Sequence, residues 1–319
     1  MGGGMHIGFI GLGNVGAKLA GNLLRNSHVV TVHDLSQDTA QPLLRGGAGW
    51  AESPAQLARI ADVIITCLPS PAACATVIEG EHGLLETLEP GKIWLEMSTT
   101  DAAELARLAE RVTATGAQAL ECPVSGGCHR AATGNISIFV GGPRTAFDAA
   151  FPVLQTLGRR ILHTGALGTA SKLKVMTNYL ATANLLTLCE ALTVMKAQGL
   201  DLSTTYEAIR ISSGTSFVHE TESQVILSGS RQIDFTMDLV LKDIGLFQAL
   251  ADAADVPLEL SPKLIEIFED GQARFGPRAQ SDDIIRRLEK ATGLAITAPG
   301  FPTDLVDDEP PEKGHEVTR

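Results

Sequence analysis

The chain has 319 residues, longer than one typical domain, so two domains are expected. Hydrophobic residues make up 44% and permit a sizeable core, while a formal net charge of −12 with no lysine/arginine block argues against nucleic acid as a partner. The five cysteines (Cys67, Cys74, Cys122, Cys128, Cys189) form no C-x-x-C pair and read as free thiols of a reducing cytosol, so a cytoplasmic location is expected.

Residues 1–5, Met-Gly-Gly-Gly-Met, lack the basic and apolar regions of a signal peptide and read as a short disordered extension. An apolar run, Ile7 to Ile10, then turns through Gly11, Gly13 and Gly16, continues as an amphipathic segment to about Arg25, and reaches Asp34 through the β-branched run Val29–Val32. The order is strand, glycine turn, helix, strand, acid. At a dinucleotide, Gly11 allows the tight turn, Gly13 lets backbone approach the pyrophosphate, and Gly16 lets the helix pack on the strand. The helix N-terminus offers N–H groups to phosphate. Asp34 lies 18 residues after Gly16, close to the roughly 20 expected of the acid that binds the ribose hydroxyls. Gly11, Leu12, Gly13, Asn14, Val15, Gly16 and Asp34 are therefore candidate cofactor-binding residues.

Further along, helices are expected near 39–45 and, behind an N-cap at Ser53, over 54–59. The continuous apolar run 62–68 predicts a buried strand ended by Pro69-Ser70-Pro71, with helix to Val77. A strand over 93–97 ends at Ser98-Thr99-Thr100, helix follows over 101–115, and a strand over 117–121 leads to Pro123-Val-Ser-Gly-Gly127. Strand, helix and strand are expected over 136–140, 147–157 and 161–163. This alternation predicts an α/β domain over 5–164 with a doubly wound, largely parallel sheet. Ligands of such sheets bind beyond the carboxyl ends of the strands, where Pro69-Ser70, Ser98-Thr99 and Ser125-Gly126-Gly127 all fall. Ser125-Gly126-Gly127 offers a hydroxyl and glycine N–H groups, either as a nest for an anion or as an ordinary turn. Cys122, Cys128 and His129 match no standard zinc spacing, so no metal is expected.

From Gly168 the pattern changes. Helices are expected over 171–199, 203–211, 218–227, 237–253, 262–270 and 282–291, giving an all-helical domain over 165–298, to which the resemblance described below assigns substrate binding and dimerisation. Residues 299–319, with four prolines and the acidic run 307–312, read as a disordered tail. Residues 175–195 approach membrane length, but Asn178, Asn184 and Glu190 would be costly in lipid, so a long helix packed in protein is expected. Lys174 and Asn178 are spaced i, i+4 on that helix, about 6 Å apart at Cβ. A lysine entering a desolvated cleft has its pKa lowered toward proton transfer, and an amide beside it can hydrogen-bond a substrate hydroxyl. The alternative is a solubilising lysine and a satisfied core amide. Lys172 competes but faces elsewhere.

Gly8-Phe-Ile-Gly-Leu-Gly-Asn-Val-Gly16, Leu68-Pro69, Ser98-Thr99, Pro123-Val-Ser-Gly-Gly127 with Gly134-Asn135, Gly165-Ala-Leu-Gly168 followed by Lys174 and Asn178, and Lys242-Asp243 occur in this order. In these motifs, over residues 5–297, the chain resembles the β-hydroxyacid dehydrogenases, the group of 3-hydroxyisobutyrate dehydrogenase and tartronate semialdehyde reductase. The resemblance implies an N-terminal Rossmann domain and an all-α C-terminal domain joined by a long interdomain helix. It implies Lys174 as catalytic acid/base assisted by Asn178, and Ser125, Gly126 and Gly127 as holders of the substrate carboxylate. Leu68, Pro69 and Thr99 would line the cofactor, and Lys242 would reach the site from the helical domain. The implied protein is a homodimer or homotetramer acting on a small hydroxy acid, with no membrane or nucleic-acid partner. Asp34, with no arginine after it, favours NAD over NADP. The chain departs from the family's pattern at Glu96 and Glu121, where Asp is usual, at Ala170, and at Cys128-His129-Arg130, where small residues are usual. His129 and Arg130 either contact an acidic or aromatic substrate or form a surface pair. A related group, the imine reductases, shares the architecture but usually lacks the lysine. An inactive nucleotide-binding module is the reading from outside enzymology.

Overall fold

The computed structural model describes residues 5–310 and 312–318, so the expected extension at 1–4 and tail residues 311 and 319 lie outside the described residues. The chain divides into two compact units, 1–174 with 307–319, and 175–306. The division falls at 174/175, since the strand over 160–165 and the opening turns of the long helix group with the sheet.

The first unit begins with β1 (His6–Ile10), α1 (Asn14–Arg25), β2 (Val29–His33), α2 (Gln37–Arg45) and the two-residue β3 (Gly49–Trp50). It continues with α3 (Pro54–Ile60), β4 (Val63–Thr66), α4 (Pro71–Glu79), β5 (Ile93–Glu96) and α5 (Ala102–Ala114). β6 (Gln118–Glu121), β7 (Val124–Ser125), α6 (Gly127–Thr133), β8 (Ser137–Gly141), α7 (Arg144–Leu157) and β9 (Arg160–Gly165) follow, and α8 (Thr169–Ala197) leaves the unit. The helix starts obey local chemistry: Ser53 accepts from Gln56 N at 3.1 Å, Ser70 from Ala73 N at 3.2 Å, and Asp101 from Glu104 N at 2.8 Å.

The sheet runs β3-β2-β1-β4-β5-β6-β8-β9, with β7 paired to β8. β3 through β6 are mutually parallel, and β6–β8 and β7–β8 are antiparallel. Alternate residues go to opposite faces, as a two-sided sheet requires. Ile7, Phe9, Val63 and Ile65 join one apolar cluster with Leu19 and Leu23 of α1; Ile10, Ile64 and Trp94 join the other with Leu57 of α3. β1, β2, β4, β5 and β6 therefore end on one edge of the sheet.

The tail is a correction. Residues 307–318 belong to the first unit, and β10 (His315–Glu316) adds a parallel strand beyond β9, pairing His315 with Arg160. Arg144 holds Glu316 through both terminal nitrogens, at 2.6 and 2.9 Å. Gly314 passes so close to Gly158 that a Cβ would lie 2.0 Å from its carbonyl oxygen. The acidic composition suggested solvation; arginines from α6, α7 and the α7–β9 connection supply partners that composition does not reveal.

The second unit contains the rest of α8 and α9 (Leu202–Arg210), α10 (Phe217–Ser228), α11 (Met237–Ala253), α12 (Leu260–Phe275), a 3-10 turn (Ser281–Ile285) and α13 (Arg286–Thr292). Leu185, Leu188 and Leu192 of α8 enter its core with Ile226, Met237, Phe268 and Ile285, as expected of a long helix packed in protein. Tyr179 stacks on Phe247 at 4.3 Å. Residues 299–306 stay with this unit, and Phe301 meets the ring of Tyr206 edge-on at 5.1 Å.

Candidate active site

At the carboxyl edge, Gly11 N donates to His33 O at 3.1 Å and Leu12 N to Asp34 Oδ2 at 2.7 Å. The acid thus ties the glycine turn to the end of β2. Each glycine answers a different demand. Gly11 has φ +93°, and a Cβ there would lie 2.3 Å from Cys67 O; at Gly16 it would lie 2.0 Å from Gly11 O. At Gly13 a Cβ would meet no protein atom within 4 Å. The protein does not need glycine at 13, whereas a group lying against the turn would. No side chain caps α1 at Gly13, and its first turn holds no acid, so the positive end of the helix is left to an external anion. Asn14 and Val15 sit in that turn. These residues fit a dinucleotide phosphate.

The next two loops on this edge are joined by Glu96, which the sequence reading treated only as a departure. Glu96 is fully buried at the end of β5. It accepts from Thr66 Oγ1 at 2.7 Å, Cys74 Sγ at 2.6 Å and Ser98 N at 2.7 Å. Trp94 Nε1 donates to Thr66 Oγ1 at 2.8 Å, and Leu68 N to Ser98 Oγ at 2.7 Å. Burial pushes the Glu96 carboxyl up, and burial beside it pushes up the Cys74 thiol. The network fixes Leu68 and Thr99, both half-buried, and the exposed Pro69 to one frame.

Ser125 ends β7 opposite Ser137 of β8, and Gly126 (φ +134°) and Gly127 (φ +83°) open α6. The positive φ at both positions favours glycine, so no side chain shields this backbone. A Cβ on Gly126 would lie 3.3 Å from Arg130 Cδ, which places that stem against the turn. The Arg130 guanidinium bonds Glu309 of the tail at 2.7 Å. His129 is held below its usual range by burial and then by the Arg130 charge.

Lys174 is 7% exposed, whereas Lys172 is exposed, which separates the two candidates. The start of α8 is pinned by Glu121, fully buried at the end of β6. Its carboxylate accepts from Ala170 N at 2.8 Å, Ser171 N at 3.1 Å and Ser171 Oγ. A carboxylate on the first N–H groups is a strong helix cap and complements the dipole. Gly141 makes the room, since a Cβ there would lie 2.1 Å from Glu121 Oε1. In the second unit, half-buried Asn178 donates Nδ2 to Asp243 Oδ2, and Lys242 Nζ pairs with Asp243 Oδ1 at 3.0 Å. Asp243 is 2% exposed and brings two candidates together. It was legible only as part of the Lys242-Asp243 motif. An apolar groove of about 620 Å³ between α8 and α9, lined by Val194, Met195, Leu200 and Ile209, involves none of these residues.

Residues 6–165 match the NAD binding domain of 6-phosphogluconate dehydrogenase, and residues 168–288 match the NAD-binding domain of NADP-dependent 3-hydroxyisobutyrate dehydrogenase. The chain is 32% identical over 294 residues to 2-(hydroxymethyl)glutarate dehydrogenase of Eubacterium barkeri, covering 92% of this chain and 98% of that protein. It is 32% identical to mitochondrial 3-hydroxyisobutyrate dehydrogenase of Mus musculus, covering 82% and 80%. The crystal structure of 3-hydroxyisobutyrate dehydrogenase from Salmonella typhimurium superposes with a TM-score of 0.82 at 26% identity, covering 89% of this chain and 99% of that one. With its glycine turn, doubly wound sheet and all-helical second unit, the chain belongs to the β-hydroxyacid dehydrogenase family, as an oxidoreductase built to bind a nicotinamide dinucleotide.

Proposed function

We propose that the protein interconverts a small 3-hydroxy acid and its semialdehyde or oxo acid, with NAD as preferred cofactor and Lys174 as general acid/base. The observation that carries this reading is a buried lysine in the opening turns of a helix whose N-terminus is pinned by the buried carboxylate of Glu121. When bound, the nicotinamide gives or takes the hydride at the carbinol carbon. Lys174 takes the hydroxyl proton in oxidation and returns it in reduction, and its ammonium stabilises the developing alkoxide. Ser125, Gly126 and Gly127 hold the substrate carboxylate. Asn178, oriented by Asp243, hydrogen-bonds the reacting oxygen, and Lys242 adds positive charge for the carboxylate and the cofactor. Leu68, Pro69 and Thr99 line the cofactor.

The NAD preference rests on Asp34, whose carboxylate repels a 2′-phosphate, and on Leu35, Ser36 and Gln37, which offer no cation to replace it. Imine reduction is disfavoured by the presence of Lys174. An inactive nucleotide-binding module is disfavoured by Lys174 and Asn178 together. We read the half-exposed Leu180 and Val194 of α8 as part of a subunit interface in a cytoplasmic homodimer or homotetramer.

A screen for reduced-cofactor formation tests the reading, over 3-hydroxyisobutyrate, glycerate, threonate, 4-hydroxybutyrate, 2-(hydroxymethyl)glutarate and sulfonated analogues with NAD and NADP. Turnover of at least one carboxylate, with kcat/KM about tenfold or more higher for NAD, is expected. No turnover of any overturns the substrate class, and equal or better use of NADP overturns the cofactor preference.

A further inference from the structure

The tail reaches a part of the molecule that the chemistry uses. α6 spans seven residues, Gly127–Thr133, too few for a helix to hold itself together in water. Its first residue belongs to the Ser125-Gly126-Gly127 turn. Its remaining length is held by Arg25 of α1, which donates to Ala132 O, and by the acidic tail, which lies beyond the segment that the family model matches, ending at 288. Asp307 accepts from Thr133 Oγ1 and from Asn135 Nδ2, the latter at 2.6 Å, and Asn135 Nδ2 also donates to Glu309 O at 3.1 Å. Glu309 takes Arg130 through one oxygen at 2.7 Å and Arg159 through the other at 2.5 Å. Arg130 is the residue whose stem rests against Gly126. β10 and the Arg144–Glu316 pair anchor the far end of the segment to the sheet.

We propose that residues 307–309, anchored by β10, are a strap that orders the Ser125-Gly126-Gly127 turn through α6, and that Glu309 is a positioning residue for the substrate carboxylate. The last clause rests on the proposed function. Glu309 does two things at once. It fixes the direction of Arg130, and with it the wall behind Gly126. It also draws the guanidinium groups of Arg130 and Arg159, 23% and 16% exposed, to the tail, where Arg159 meets Glu312 as well at 2.9 Å. Removing the carboxylate releases Arg130 from the tail and loosens the short helix behind Gly126, while Arg159 keeps its pair with Glu312 at 2.9 Å. The carboxylate is then bound less well, while the glycine turn at 11–16, held by its own bonds to His33 O and Asp34, keeps its grip on the cofactor.

The full-length Glu309→Ala protein tests this by amide hydrogen exchange and by steady-state kinetics with the best carboxylate of the screen, 3-hydroxyisobutyrate being the first probe. Exchange in peptides covering 125–134 should rise about fivefold or more, with peptides covering α3 and α4 within 54–79, which pack in the other apolar cluster, unchanged. KM for the hydroxy acid should rise about tenfold, with KM for NAD within about twofold, and Glu309→Asp should recover most of the loss. Unchanged exchange at 125–134 overturns the strap. Faster exchange with an unchanged hydroxy-acid KM overturns the positioning role. Should Glu309→Ala fail to fold, Glu309→Gln reads the same two quantities. Should the wild type turn over no hydroxy acid, the proposed function falls, and exchange at 125–134 still decides the strap.

Discussion

Gly13 and Gly16 differ only in what surrounds them, and the difference separates folding from binding. A Cβ at Gly16 would sit 2.0 Å from Gly11 O, whereas one at Gly13 would meet nothing of the protein within 4 Å. Gly16→Ala should therefore lower stability by about 1–3 kcal/mol, the usual cost of overpacking. Gly13→Ala should leave the melting temperature unchanged and weaken NADH binding about tenfold or more, measured by fluorescence titration. Equal melting and binding losses in the two variants would contradict this division. The turn was legible in the sequence because its glycines stand at fixed spacing, Gly11 and Gly16 for local steric reasons and Gly13 for the approach of a ligand. Glu96 and Asp243 were not, because their partners Thr66 and Asn178 stand 30 and 65 positions away. Nothing in the neighbourhood of either acid signals those bonds. Arg130 was legible as a charge beside the turn; that its charge goes to Glu309 was not.

The elements with strong period were read closely, and α11 has the expected bounds, Met237–Ala253. Elements set by tertiary pairing were missed: β3, β7 and β10 are two residues each and too short to carry a pattern. The expected helix over 282–291 divides into the 3-10 turn and α13, and the 3-10 turn carries a buried acid, Asp282, against half-buried Glu222 of α10. Asp282 is fully buried, and its Oδ2 finds no donor among the described N–H and O–H groups. Beside it stands the Glu222 carboxyl of α10, and a proton held between the two acids would satisfy it. Burial pushes Glu222 up to about 7, and burial with the Glu222 charge pushes Asp282 higher. Asp283 adds a like charge, and the thiol of Cys189 facing the pair is itself pushed up by burial and by Asp282. The sign follows from linkage. The fold binds this proton more tightly than the unfolded chain, so the pair's contribution is fully present below the unfolded value of 4.5 and is lost as pH rises through about 7. Glu222→Gln keeps the hydrogen bond without the titration. Its melting temperature relative to wild type should rise by several degrees between about pH 5 and about pH 8. A difference independent of pH would remove the shared proton from the account.

At the scale of the whole molecule, two units and their classes were legible because alternation of strand and helix, then its absence, is a long-range pattern that no single residue controls. The recruitment of the tail to the first unit was not, since it depends on three arginines, Arg130, Arg144 and Arg159, that only folding gathers. The parallel order from β3 to β6 explains why residues far apart in sequence serve one purpose: the glycine turn, Asp34, the Leu68 and Ser98 loops and the Glu121 cap all lie at the ends of strands on one edge. Lys174 follows that cap by a turn of helix. The proposed role of this lysine is to perform the proton transfer and not to hold the cofactor. It is tested most directly by kcat of Lys174→Ala on the hydroxy acid that the wild type oxidises best, with the NADH dissociation constant measured on the same preparation. A kcat lower by about 10²–10⁴-fold is expected, with NADH binding within about twofold of wild type. A kcat within about threefold of wild type would contradict it.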